Sequence, residues 1–135
     1  MKIVSSETGV VSIPREEGPL TGGMGNNAEF VTIKIRTEDG IEGIGYSGFA
    51  SSVMLKALKE SVDALLGQIV GQDPRCVENI NNWLRELAGG GAPSGLVTRA
   101  ISGIDVALWD IKGKSAGEPI HRLLGGYRDK VPTYA

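Results

Sequence analysis

Gly43-Ile44-Gly45-Tyr46-Ser47-Gly48 fits the spacing G-x-G-x-x-G, and Asp63 stands twenty residues after Gly43. Glycines so spaced can let a backbone approach a pyrophosphate, with the downstream acid on the ribose. That chemistry requires the turn to open a helix at once, so that its free N–H groups meet the phosphate. Here Phe49 and Ala50 intervene before the first capping serine, Ser51 or Ser52, and Asp63 falls inside a helical stripe. The strand before the glycines reads as the return arm of a hairpin, whereas the fingerprint belongs to a parallel βαβ unit. Dinucleotide binding is therefore not the expected use of these residues.

Asp105 and Asp110 invite a metal or acid/base reading. Five residues turn a helix by about 500°, so the two carboxylates point roughly 140° apart and do not share one ion. Hydrogen bonds or ion pairs with neighbouring elements are expected instead, with Arg99, Lys112 or a partner domain as candidates. Cys76 and His121 stand in different segments, which argues against a thiolate–imidazole pair. Cys76 reads as a small hydrophobe on a helix. His121 has only Glu118 near it in sequence, short of the three or four ligands of a zinc site, and is expected at a surface or between domains. Trp83 and Trp109 sit among aliphatics at helical spacing and read as core; Lys56 and Lys59 flank a stripe and read as solvated. No Ser-His-Asp, P-loop or CxxC pattern is present.

Composition bounds the rest. The 135 residues suggest one domain with a sizeable core. Net charge is −2 with both signs mixed along the chain, so there is no basic block for nucleic acid. A single cysteine excludes an intrachain disulfide and fits a reducing cytoplasm. No apolar run approaches the roughly 18 residues of a membrane span, and no leader pattern follows Met1. A soluble cytoplasmic protein is expected.

The elements that must position these residues are of two kinds. Lys2 to Pro14 suits an extended segment, and Arg15 to Asn27 is a Gly-rich polar loop. Phe30 to Arg36 alternates, with Val31, Ile33 and Ile35 on one face. Asp39-Gly40 signals a two-residue turn, and Ile41 to Tyr46 is the return strand. A three-stranded antiparallel sheet with one buried face follows. The remainder is helical. Leu55, Leu58, Val62, Leu65, Leu66 and Ile69 make one stripe. Asp73-Pro74 is expected to start a second helix with Val77, Ile80, Leu84 and Leu87 inward, ended by Gly89-Gly90-Gly91-Ala92-Pro93. A third helix spans about Leu96 to Lys112. Val97, Ile101, Ile104, Leu108 and Ile111 form its stripe, widened by Ala100, Val106, Ala107 and Trp109. A helix this apolar around its circumference needs partners on more than one side. A short helix closed by Gly125-Gly126 comes next, and Val131 to Ala135 looks like a strand just beginning, which suggests a fragment. The fold class is α+β, a three-stranded antiparallel sheet followed by a helical bundle.

Arg99-Ala100-Ile101-Ser102-Gly103-Ile104-Asp105-Val106-Ala107-Leu108-Trp109-Asp110-Ile111-Lys112-Gly113-Lys114, followed by Gly117-Glu118-Pro119-Ile120 and Leu123-Leu124-Gly125-Gly126, carries a family resemblance. This run is similar to the end of the N-terminal capping domain in the mandelate racemase/muconate lactonizing enzyme branch of the enolase superfamily. The first strand, the hairpin Thr37 to Gly43 and the Asp73-Pro74 start fall in family order, so the resemblance covers the whole chain.

The resemblance implies a capping (lid) domain at residues 1–126, with residues 127–135 as linker and first strand of a (β/α)₈ barrel that the chain otherwise lacks. In the family, barrel carboxylates hold Mg²⁺, and barrel lysines, or a lysine with a His-Asp pair, move the proton α to a substrate carboxylate. None of those catalytic or metal positions lies in this chain. Two capping loops close over the barrel mouth and shape the substrate pocket. They correspond to Arg15–Asn27, with Leu20, Thr21 and Met24 as substrate contacts, and to Tyr46–Ser52, with Phe49, Ala50 and Ser51. Ala50 stands where mandelate racemase has a bulky aromatic, and Leu20 where it has a small polar residue, which argues against mandelate. The implied parent is a Mg²⁺-dependent acid-sugar dehydratase or racemase. A muconate cycloisomerase-like enzyme or dipeptide epimerase is the alternative, and a non-catalytic interaction or lid module the alternative of another class. The implied partners are the chain's own C-terminal barrel, a small carboxylate such as an acid sugar, and further copies in a homo-oligomer.

Overall fold

A computed structural model describes residues 1–14, 27–48, 52–89 and 94–133. Strands β1 (Ile3–Pro14), β2 (Asn27–Thr37) and β3 (Glu42–Ser47) form one antiparallel sheet in the order β1-β2-β3. Helices α1 (Ser52–Gln68), α2 (Val77–Ala88), α3 (Gly95–Ala116) and α4 (Ile120–Leu123) follow. Asn27, read as loop, is the first residue of β2 and pairs with Pro14.

Alternation sets which face of β2 is covered. Val31, Ile33 and Ile35 are fully buried, and Thr32, Lys34 and Arg36 point the other way. Opposite them, β3 turns Gly43, Gly45 and Ser47 inward, paired with Ile35, Ile33 and Val31. The inward side of β3 is therefore almost bare of side chains, and α3 lies on it. Leu55, Leu58, Val62, Leu65, Leu66 and Ile69 of the α1 region join Val77, Ile80 and Leu84 of α2 and Ile101, Ile104, Leu108 and Ile111 of α3 in a single core. Trp83 and Trp109 pack half-buried against it.

Several boundaries differ from the sequence expectation, each for a local reason. The β2–β3 turn has three residues, Glu38, Asp39 and Gly40. Thr37 N–H donates to the Ile41 carbonyl, Ile41 N–H donates to Thr37 Oγ1, and Gly40 takes a positive φ of 80°. Helix α2 starts at Val77 rather than at Asp73-Pro74. Asp73 accepts from the backbone and guanidinium of Arg75 and holds a tight turn, so its carboxylate does not cap the helix. Cys76 takes the N-cap position and is exposed there rather than packed on a helix. Leu87 is about half exposed, outside the α2 stripe. Helix α3 is longer than expected and runs to Ala116, where left-handed Gly117 stops it. Residues 127–133 have no regular secondary structure, and the end of the segment expected to begin a strand lies outside the described residues. Among the described residues, no helix is long and apolar enough to cross a membrane.

Candidate functional site

The two elements that carry the recognisable residues meet where α3 crosses β3. A Cβ built on Gly43 would lie 2.2 Å from the Ala107 carbonyl oxygen, and one on Gly45 would lie 2.2 Å from that of Gly103. From the helix side, a Cβ on Gly103 would lie 2.8 Å from Ile33 Cδ1 and 3.2 Å from the Tyr46 carbonyl. Ala100, Gly103 and Ala107 are all buried, three and four residues apart, so they form one small-residue track. The G-x-G pattern is thus a backbone-to-backbone packing contact. Asp63 stands at the other edge of the sheet, where it accepts from Thr8 of β1 and Lys59. Burial raises the Asp63 carboxyl, but these hydrogen bonds outweigh it and leave the carboxyl below its ordinary value.

Polar side chains of α3 hold the outer edge of β3. Asp110 Oδ2 accepts from Ile44 N–H at 2.8 Å. Lys114 Nζ donates to Asp110 and to the Glu42 carbonyl, each at 2.7 Å. At the far end Arg99 Nη1 donates to the Gly48 carbonyl at 2.8 Å, and buried Ser47 Oγ donates back to the Arg99 carbonyl at 2.9 Å. Asp110 was expected to pair, and its partners are Ile44 N–H and Lys114. Asp105 accepts from Asn81 of α2 at 2.9 Å, with Arg85 behind Asn81 at 2.7 Å. The two carboxylates serve separate contacts. Glu42 is lowered chiefly by the Arg36 hydrogen bond, against a burial contribution that raises it. His121 is exposed on α4.

Beside this crossing lies a groove of about 480 Å³ lined by Ile44, Val106, Trp109, Asp110, Ile120 and Leu124. It is the second, unpartnered side of α3. Val106, Ile44 and Leu124 are exposed there, and Lys112 Nζ sits 4.6 Å from the Trp109 ring centre.

The six residues expected to touch substrate, Leu20, Thr21, Met24, Phe49, Ala50 and Ser51, lie outside the described residues. Their flanks are described. Pro14 pairs with Asn27, and Ser47 pairs with Val31 four residues along β2, so both segments depart from the same end of the sheet. Sequence reasoning offered Arg99 and Lys112 as partners of Asp105 or Asp110; Arg99 instead pairs with Ser47 and Gly48, and Lys112 lies over the Trp109 ring. For Ser47 the available signal was the alternation Gly43, Gly45, Ser47, which marks a strand face too small to pack except against backbone. Among the described residues no group of three or more His, Cys, Asp or Glu side chains could hold a metal ion.

Comparison with known proteins agrees with this architecture. The family described as mandelate racemase/muconate lactonizing enzyme, N-terminal domain, matches residues 6–125. The L-talarate/galactarate dehydratase of Salmonella typhimurium is 35% identical over 104 residues, covering 77% of this chain and 26% of that enzyme. The D-mannonate dehydratase of Novosphingobium aromaticivorans is 42% identical over 112 residues, covering 78% and 26%. The crystal structure of L-talarate dehydratase from Polaromonas sp. JS666, complexed with Mg and L-glucarate, superposes with a TM-score of 0.81 at 27% identity. That match covers 95% of this chain and 33% of the other. The chain thus spans about a quarter of the length of the curated relatives it matches.

Proposed function

The chain belongs to the mandelate racemase/muconate lactonizing enzyme family, and on that premise we propose that it is the capping domain, residues 1–126, of a longer enzyme that removes the proton α to a carboxylate. The expected reaction is dehydration or racemisation of an acid sugar, with dehydration favoured by the names of the relatives. Mg²⁺ and the acid and base groups would be supplied by the rest of the polypeptide. Residues 1–135 alone would be inactive.

The observation that carries this reading is the groove on the outer side of α3. Exposed apolar side chains gathered in one groove mark an interaction surface, and Ile44, Val106 and Leu124 face solvent there. The occupant we assign is the barrel domain of the same polypeptide, since the curated relatives are about four times as long as the stretch they share with this chain. Within the capping domain, Leu20, Thr21, Met24, Phe49, Ala50 and Ser51 would shape the substrate pocket. The two segments that hold them leave the sheet together, which supports a shared target.

The test is turnover of galactarate, D-galactonate and D-mannonate with Mg²⁺ by the full-length protein, followed by keto-acid formation. Conversion of one of them by the full protein, and of none by residues 1–135, is expected. Turnover by residues 1–135 alone would overturn the capping assignment; a full-length protein inert toward all three would overturn the acid-sugar reading. Met24→Ala and Phe49→Ala should raise KM about tenfold with kcat nearly kept, as loss of uniform binding does. Assembly into a homo-oligomer is expected and is checked by sedimentation of the whole protein.

A further inference from the structure

Three contacts converge on Ser47, the last residue of β3, and on Gly48 just after it. Gly48 is buried, and a Cβ placed on it would lie 2.5 Å from Phe30 Cδ1, so only the bare backbone fits against that ring. Phe30 is itself fixed edge-on against Tyr46, with ring centres 5.8 Å apart. Arg99 donates to the Gly48 carbonyl, and Ser47 returns a hydroxyl to the Arg99 carbonyl. The exchange is reciprocal, so displacement of residues 47–48 relative to α3 breaks both bonds at once. The other β3 grips, at Glu42 and Ile44, lie toward the opposite end of the strand and do not constrain this point.

Arg99 is exposed on α3 and sits outside the shared core, so packing does not explain it. A planar guanidinium aimed at one carbonyl is a directional restraint, and it acts on the peptide group that joins the sheet to residue 49. We propose that Arg99 is a positioning residue: it fixes the orientation in which the chain leaves β3, and through it the substrate preference of the enzyme. The dependence on substrate rests on the functional reading above; the restraint at Gly48 does not.

Hydrogen exchange and kinetics on the full-length protein separate the two. Arg99→Met is expected to speed amide exchange about tenfold in peptides spanning residues 47–53, while the turn at residues 37–43 exchanges as in the wild type. It should also raise KM about tenfold for whichever of galactarate, D-galactonate and D-mannonate is turned over best, with kcat within about twofold. Arg99→Lys, which keeps the charge and one donor, is expected to recover part of both effects. Arg85→Met, which removes a charge from α2, should change neither readout. Unchanged exchange at residues 47–53, or faster exchange across the whole chain, overturns the restraint. Faster local exchange with an unchanged KM overturns the role in substrate preference. If the wild type turns over none of the three acids, the functional reading fails and exchange alone decides on Arg99. If Arg99→Met does not fold, Arg99→Lys and Ser47→Ala are judged by the same criteria.

Discussion

Gly45 and Gly67 make opposite demands on a methyl group. At Gly45 a Cβ would sit 2.2 Å from the Gly103 carbonyl, with backbone on both sides of the contact. Gly45→Ala must separate α3 from β3 and is expected to cost about 1–3 kcal/mol, the range for overpacking a tight interior. At Gly67, in the last turn of α1, nothing lies within 4 Å. Gly67→Ala is expected to stabilise by about 0.5–1 kcal/mol through helix propensity. Chemical denaturation of both variants checks the pair, and equal shifts would refute the packing role given to Gly45. Asp73 offers a pH test at the same scale. Its carboxyl is lowered from 3.8 to about 2, first by the Arg75 side chain and then by the Arg75 backbone N–H. The native state binds this proton less readily than the unfolded chain, so the contribution is complete above pH 3.8 and fades as pH falls toward 2. Asp73→Asn should melt earlier than the wild type at pH 6, and the two curves should converge on acidification through that window. A constant difference across the titration would remove Asp73 as the source.

Helix α3 treats β3 as a neighbouring strand would. It covers the strand's inward face with its Ala100, Gly103 and Ala107 track and answers the Glu42 carbonyl, Ile44 N–H and Gly48 carbonyl with side chains. An edge that would otherwise invite pairing with another chain is blunted. Asp110→Ala should cost about 1–2 kcal/mol, because Ile44 N–H loses a charged acceptor and Lys114 its partner. Size-exclusion runs should show more self-association for this variant, and a monomer of wild-type stability would argue against the edge-capping role. At this scale the sequence was legible where a period was strong. The stripe from Leu55 to Ile69 and the alternation Val31, Ile33, Ile35 are buried as their spacing requires. It was misleading where tertiary context decides. Asp73-Pro74 has the residue types of a helix start, yet Arg75 claims the carboxylate and delays α2 to Val77. Gly43-x-Gly45 has the spacing of a phosphate loop, and only the presence of α3 shows what the missing side chains make room for. The pairing of Arg99 with Gly48, separated by about fifty residues of chain, leaves no local pattern to read.

At the scale of the molecule, a single core ties the sheet to three helices, and α3 stands between that core and the groove. Ile104 is fully buried at the centre, and Ile104→Ala is expected to cost about 2–5 kcal/mol. Val106, two residues on, is exposed in the groove, and Val106→Glu should leave the stability of residues 1–135 within about 0.5 kcal/mol. The same change should reduce binding of a hydrophobic dye to residues 1–135, and should lower the melting temperature of the full-length protein. If Val106→Glu is as harmless in the whole protein as in the part, the groove is not the seat of the barrel. The family resemblance was legible in the run from Arg99 to Lys114, because that run is apolar on more than one side of the helix. Which residues serve which surface was not, since Ile104 and Val106 differ in role but not in residue class.

On the β3 side the grip of α3 takes hold of main-chain atoms and absent side chains, Ser47 Oγ excepted, and this leaves the strand's outward positions without a vote in the contact. Tyr46 can be exchanged freely as far as the helix is concerned, provided Gly43, Gly45 and Ser47 stay as they are. A strand borrowed from a distant relative should therefore dock on α3 in the same register whatever it displays at position 46, so that new surface chemistry can be installed there without disturbing the helix.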